Sequence, residues 1–426
     1  MTPKRRQGGA PSWDPNLWKI RPALILTFTG AVLVSASVFY TLTAVLGVER
    51  IDQATTLDAS TLFELVKLSF GVVAGAGALV ALIVAYRRQR LDEAGAHREA
   101  TRLHSERFTQ AVEQLGSDSP AVRLGGVHAL AGLADDAPDD SLRQTCIDVL
   151  CAYLRLPIAS DNPASEEEHH RYLALRTVRH TILRLIGEHY RLPRGTPRSW
   201  QGHDLDLTDT TIDGPLDFAH ATFCRGTVNF SRAVFSTGTV NFAHATFSVG
   251  TVNFSRVVFS ADTVSFAHAT FLAGTVNFNN TSFNVTAADF SNASFLGAKV
   301  GFNSASFNAY VTFRDASFSG GEVDFGYTSF SGGSLTFGNA SFSGSTVSFG
   351  FASFSVRTLD FSEASFSGGT VILIADSFSP DCAVLFQQAS VTGGTLRCGT
   401  VDGQVPPGLR DAVRAVSPDA WPDPPF

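Results

Sequence analysis

Histidines 169, 170, 180 and 189 fall within one stretch of this 426-residue chain and are the first place to look for chemistry. Two imidazoles on one helix hold a metal when they stand three or four residues apart, as in HExxH, and no pair here has that separation. Glu166, Glu167 and Glu168 read as first-turn charge favouring a helix N-terminus rather than as a carboxylate site. The acidic run from Asp135 to Asp140 reads as solvated decoration in the same way. Five cysteines, at 146, 151, 224, 382 and 398, are odd in number and scattered. They outline no disulfide framework, fit a reducing compartment and behave as small buried hydrophobes. His220, His244 and His268 recur at a spacing of 24. A ladder of them could bind metal or sense pH, yet no Cys, Asp or Glu recurs beside it at the same period, so they read as surface decoration. With no nucleophile–base pair, phosphate loop or metal cluster, we expect no enzyme, no catalytic residue, no cofactor and no metal.

The elements that carry these residues are repetitive. From Phe218 the phenylalanines fall at 223, 230, 235, 242, 247, 254, 259, 266 and 271, then onward to Phe361 and Phe366, with gaps alternating between five and seven. A short fixed period marks a solenoid, in which each unit buries its apolar face only against its neighbours. From residue 218 to 277 the units read FAHATFCRGTVN, FSRAVFSTGTVN, FAHATFSVGTVN, FSRVVFSADTVS and FAHATFLAGTVN. AHAT follows Phe218, Phe242 and Phe266, whereas Ser-Arg follows Phe230 and Phe254, so the finer identity has a period of 24. A four-faced coil of 24 residues is expected, with a flattened two-faced coil of 12 as the alternative. Adjacent coils about 4.8 Å apart would make eight of them about 40 Å tall. The histidine set should then line one outer edge, with Arg232 and Arg256 on the opposite one. The two extra residues in every second step, such as Gly226-Thr227, belong at a corner as a bulge or loop. Asn229, Asn241, Asn253 and Asn277, with the threonines at 227, 239, 251, 263 and 275, are expected to form hydrogen-bonded ladders there. A six-residue step from Phe307 to Phe313 removes one residue, and the pattern decays past Phe378 through Leu385. Gly408 to Val416 reads as a terminal helix over the open end, and Pro418 to Phe426 as a tail without regular structure.

Upstream, Pro22 to Val48 carries no charge and would be about 40 Å long as a helix. Leu68 to Tyr86, also uncharged, would be about 28 Å long, against a bilayer core of about 30 Å. The two make a transmembrane hairpin over 22–86 (spans 22–48 and 68–86); the first run is too long for a cleavable signal peptide. Lys4, Arg5, Arg6, Lys19 and Arg21 precede the first span and Arg87, Arg88 and Arg90 follow the second, while the loop between is acid-rich. Both termini and the solenoid should therefore face the cytoplasm, in a multi-pass cell-membrane protein. Gly71 and Gly75 allow close helix packing, within the hairpin or in a homo-oligomer; the solenoid end is a second place for self-association.

Arg87 to Gly116 should continue the second span as a polar helix, with Arg90 near Glu93 and an apolar stripe at Phe108, Val112 and Leu115. Ser119-Pro120 opens a helix carrying Leu124, Val127, Ala131 and Ala134. A further helix presents Leu142, Cys146, Val149 and Tyr153. After a linker from Pro157 to Ala164, Ser165 and Glu168 form a capping box for a helix with Leu175, Val178, Ile182 and Leu185. The expected organisation is a basic N-terminus (1–21), the hairpin (22–86), a helical stalk and adaptor (87–199), the β-solenoid (200–400), then cap and tail (401–426).

A small residue such as Ala221, Ala245 or Ala293 stands two before the second Phe of a unit. A branched aliphatic such as Val228, Val240, Val252 or Leu335 stands two before the next unit's first Phe. That cadence, from about Leu205 to Leu396, resembles the pentapeptide-repeat family, with Phe in place of the commoner Leu and two extra residues in every second step. The resemblance implies a right-handed quadrilateral parallel β-helix. The function expected is a membrane-tethered scaffold that presents the solenoid to a protein partner without catalysis. Some members of the family protect DNA gyrase as acidic DNA mimics, which is the alternative. From Leu216 to Thr400 there are about ten acidic and about seven basic residues, far from one negative charge per roughly 1.7 Å of duplex. Nucleic acid is not expected as a partner.

Overall fold

The structure is a computed structural model that describes residues 59–157, 165–401 and 409–416, with scattered residues between 25 and 37. It divides into two compact units, residues 1–100 and 101–426. Helix α1 (Ala59–Leu115) starts in the first and ends in the second. It is continuous, as expected for the polar stretch after Tyr86, but Arg90 donates to the Tyr86 hydroxyl at 3.1 Å and Glu93 takes Gln89 instead. The apolar run 22–48 lies largely outside the described residues. Among the described residues no helix is long and apolar enough to cross a membrane, so the two-helix hairpin finds no support there.

In the second unit the chain winds into an all-β parallel solenoid of about eight coils, consistent with a pentapeptide-repeat fold. Phe247 pairs with Phe271 and Thr251 with Thr275, each 24 residues on, which excludes the twelve-residue coil. Four stacks of short parallel strands form its faces; two of them join into a 15-stranded sheet, and the others are separate eight-stranded sheets. The stacks join where Thr222–Asn229 and Thr246–Asn253 run unbroken around a corner, with register shifts at Cys224 in the position foreseen for the extra residues. Gly226, Gly250 and Gly274 stack at that corner with φ of +64°, +123° and +80°. A Cβ on Gly274 would lie 2.5 Å from the Gly250 carbonyl oxygen. The one-residue deletion after Phe307 is absorbed locally, Ala287 pairing with Tyr310 at a spacing of 23, and Thr358 pairs with Ala383 at 25.

The core follows from the cadence. The Phe at each step and the residue two before it turn inward, so Leu216, Phe218, Ala221, Phe223, Val228, Phe230, Ala233 and Phe235 are all buried in one coil. Each Phe then stacks on its equivalent in the next coil. Phe230, Phe254, Phe278, Phe302, Phe325 and Phe349 form one ladder, and its Phe254 and Phe278 rings lie 4.8 Å apart and 2° from parallel. Ladders meet edge-to-face in the centre, as Phe254 does with Phe266 at 6.1 Å and 88°; both geometries suit the ring quadrupole.

Two corners of every coil are tight turns such as Phe218-Ala219-His220-Ala221, closed by Ala221 N–H to Phe218 carbonyl at 3.0 Å. Their third residue has positive φ, the signature of a type II turn. Along the solenoid this position holds Asp, His, Arg, Asn, Ser, Tyr, Phe, Glu and Gln. In a region rich in Thr and Val it never holds a β-branched residue, the class least able to adopt that conformation. The asparagines before each turn do not ladder from coil to coil as expected. Each caps its own turn, Asn229 Oδ1 taking Ser231 N–H at 3.0 Å and Asn253 Oδ1 taking Ser255 N–H at 3.0 Å. At Gly301, which has no cap to offer, Asn279 from the preceding coil reaches across and takes Asn303 N–H at 2.8 Å.

The helices cap the first coil. α2 (Pro120–Asp135), α3 (Asp140–Arg155) and α4 (Glu166–Arg191) pack with the end of α1 into a small bundle. Ser165 caps α4 through Glu168 N–H, and Asp139 caps α3 through Leu142 N–H. The buried face of α3 centres on Cys146, Ile147, Leu150 and Leu154, while Leu142, Val149 and Tyr153 stand at its margin. At the other end, α5 (Leu409–Val416) covers the last coil with buried Leu409 and Val413.

Phe254→Ala should lower solenoid stability by about 3–5 kcal/mol, with Arg256→Ala nearly silent, in thermal or denaturant unfolding. At the turn position, His244→Gly should be tolerated, whereas His244→Val should cost about 1–2 kcal/mol for a left-handed β-branched residue; equal midpoints for the two would refute the turn assignment.

Candidate functional site

Where the helices meet the first coil, several carbonyls have no further coil to pair with, and arginines meet them. Arg176 donates to Asp213 O at 2.9 and 2.7 Å, Arg179 to Thr211 O at 2.8 Å, and Arg191 to Ala219 O and Asp217 O at 2.8 Å each. Gln144 takes Asp204 O at 2.8 Å. Left bare, this edge would be a template for pairing with another chain. Tyr190 and Trp200 close the apolar side, Tyr190 lying 5.4 Å from the Phe223 ring. α4 rides directly on the coil, since a Cβ on Gly187 would sit 2.5 Å from Asp217 O.

The acidic residues of the 135–140 run separate here. Asp135 is drawn inward and accepts from His189 Nε2, Arg198 Nε and Trp200 Nε1 at 3.2, 3.1 and 3.1 Å. Burial pushes its carboxyl up, but those donors outweigh it and leave it below the ordinary carboxylate range. His189, 2% exposed, stacks on Trp200 at 4.1 Å, with Nδ1 2.6 Å from the Leu185 carbonyl. This Asp–His pair faces no nucleophile; the neighbouring Ser199 hydroxyl donates to Leu192 O. Of the other helix histidines, His180 lies beside Asp213, which also receives the Tyr172 hydroxyl, while His169 and His170 are exposed. The four do not converge, and among the described residues no group of His, Cys, Asp or Glu could hold a metal ion.

All five cysteines are free. Cys146 sits 3.8 Å from His104 Nε2, but burial raises its thiol to about 11 and lowers His104, so neither is poised to react. Burial likewise pushes Cys151 and Cys398 to about 12. A cavity of about 440 Å³ opens between the helices, lined by Val112, Leu115, Tyr153 and Leu156 with Arg123 and Arg179. Both guanidiniums are engaged at helix ends. Arg123 donates to the Ser117 carbonyl, and Arg179, 4% exposed, to Leu156 O at 3.2 Å.

Outside, the 24-residue period lines up each corner. His220, His244 and His268 stack at 4.8 and 4.6 Å with rings within 7° of parallel, on one edge as expected. Arg232 and Arg256 occupy the equivalent turn on the other edge, where Arg232 makes two 2.6 Å bonds to Asp209. On the faces, Thr227, Thr251 and Thr275 form one column; Thr222, Thr246 and Thr270 begin another that continues as serine. The sequence reading missed one feature. Tyr327 and Phe351 occupy positive-φ turn positions on the Arg232 edge, stacked at 5.1 Å and 9° and exposed to 61% and 46%. Its signal was the broken phrase Phe-Gly-Tyr and Phe-Gly-Phe at 325–327 and 349–351.

No family model matches the chain, and neither a curated protein nor a solved structure matches it. The geometry therefore stands on its own, as a capped β-solenoid scaffold with long polar faces and two decorated edges.

Burial, then the neighbouring His268 and His220 charges, lowers the pKa of His244. A base held below its unfolded value makes the unfolded chain take up more protons, so stability falls as pH drops through about 6.5 toward the lowered value. His244→Asn should flatten the decline in unfolding midpoint between pH 7.5 and 5.5; an unchanged slope would show that the ladder is electrostatically idle.

Proposed function

We propose that this protein is a membrane-tethered scaffold of the pentapeptide-repeat kind, whose solenoid binds a protein partner and performs no catalysis. The observation that carries the reading is the solenoid itself: rigidly stacked, capped at its first edge and presenting uninterrupted columns of Thr and Ser on flat faces. Such a body offers a large, shaped surface and no converging reactive groups. Its balance of about ten acidic to about seven basic residues between Leu216 and Thr400 argues against imitation of a duplex, whose charge density is far higher.

Tethering rests on the sequence from Leu68 to Tyr86, which is uncharged, together with the uncharged run 22–48. Within α1, Leu79, Leu82, Ile83 and Val84 are exposed on successive sides of the helix, a distribution that suits a lipid surround. The flanking basic residues favour a cytoplasmic solenoid.

A photo-crosslinking residue at exposed Thr251 should trap a protein from the membrane fraction of cells expressing the full chain, whereas the same residue at exposed His170 should not. Capture only at His170 would transfer the role to the helices. Protease added to intact cells should spare the solenoid; its digestion would overturn the orientation.

A further inference from the structure

Among the positive-φ turn positions, only Tyr327 and Phe351 are aromatic carbocycles, and they are neighbours. The left-handed conformation is disfavoured for bulky side chains, and backbone strain of this sort concentrates where surfaces are used. Both residues follow a glycine, Gly326 and Gly350, where earlier coils on this edge carry Ser231, Ser255, Asn279 and Asn303. The aromatic faces are thereby left clear of flanking side chains. One coil on, Ile374, 39% exposed, continues the ridge: its carbonyl accepts Phe351 N–H at 2.8 Å.

A matching segment lies in the same chain. α5 packs on the strand Ala383–Leu385, which pairs with Thr358–Asp360. Just before that strand stands exposed Arg357, which makes no ion pair among the described residues. Backward along the same coil come the strand Ser353–Phe354 and then Phe351. After Val416 the sequence runs Ser-Pro-Asp-Ala-Trp-Pro-Asp-Pro-Pro-Phe. At about 3.1 Å per residue in the proline-favoured extended form, these ten residues span about 30 Å, with Asp419 within about 9 Å and Trp421 within about 15 Å of the end of α5. The order is complementary, an acid where Arg357 stands and then indole and proline rings for the aromatic ridge; extended proline segments dock on aromatic surfaces.

We propose that residues 417–426 dock back on the solenoid, Asp419 against Arg357 and the Trp421–Pro425 stretch on the Tyr327–Phe351–Ile374 ridge. The segment then acts as a strap that closes the last coils and occupies one edge of the binding surface. The strap does not depend on the partner reading, and a crosslink at Thr251 tests a different face, so the two stand or fall separately.

Full-length chain in detergent, labelled with 5-fluorotryptophan, tests it by ¹⁹F NMR. Trp421→Phe assigns the resonance among the four tryptophans. In the native chain the Trp421 signal should be shielded from a soluble gadolinium chelate. Tyr327→Asn with Phe351→Asn should raise its relaxation enhancement at least threefold, with the unfolding midpoint unchanged or higher because Asn tolerates the left-handed turn. Equal accessibility in both proteins, or equal protection, overturns the strap. Should the double variant unfold early, Trp421→Ser leaves the solenoid untouched and should raise Tyr327 nitration by tetranitromethane; unaltered nitration overturns the proposal.

Discussion

Everything in the solenoid depends on one coincidence of lengths: a coil of 24 residues returns each phenylalanine to a position directly over its predecessor. Parallel strands stack about 4.8 Å apart, and Phe254 and Phe278 stack at 4.8 Å, so backbone hydrogen bonding and ring stacking ask for the same rise. Because each residue answers to its equivalent one coil away, a change of coil length must be absorbed at a corner. The deletion near Phe307 and the longer final coil both do this without breaking the Phe ladders, as the stacking of Phe290 on Phe313 at 4.7 Å shows.

The corners set the tolerance of the design. Each type II turn needs one left-handed residue, and its N–H is spent on the next coil, as His220 N–H is on Ala243 O at 2.9 Å. That bond and the Asx cap fix the turn so firmly that His, Arg, Glu and even Tyr and Phe are held in a conformation that Gly or Asn would adopt at less cost. The price is visible in what is excluded: threonine and valine fill the faces but never this position. Asn279, reaching over Gly301, shows that the cap itself is the conserved physical requirement within the repeat, whichever coil supplies it.

A stack of parallel strands has two raw ends, and the first is closed by a different chemistry from the core. Arg176, Arg179 and Arg191 give the edge carbonyls charged donors, while Tyr190 and Trp200 continue the aromatic column into the helices. Buried guanidiniums without carboxylates are stable here because helix-end and strand-edge carbonyls converge on them. Asp135, receiving His189, Arg198 and Trp200, ties α2 to the same junction. The helical region is thus part of the solenoid's folding unit.

The sequence by itself determined the solenoid, its inward positions, its 24-residue coil and the alignment of His220, His244 and His268, because a linear period maps directly onto a stack when each unit touches only its neighbours. It also marked the caps of α3 and α4 and the corner at Gly226. Tertiary structure alone decided what depends on distant residues meeting. Asp135, read as a solvated charge, became the centre of the junction because Trp200 and His189 arrive from more than fifty residues away. Asparagines expected to ladder instead capped their own turns, since the nearest unpaired N–H lies two residues on in the same coil. The exposed Tyr327–Phe351 pair was hidden among thirty-five phenylalanines: composition cannot tell an inward ring from an outward one, and only the φ of the turn does.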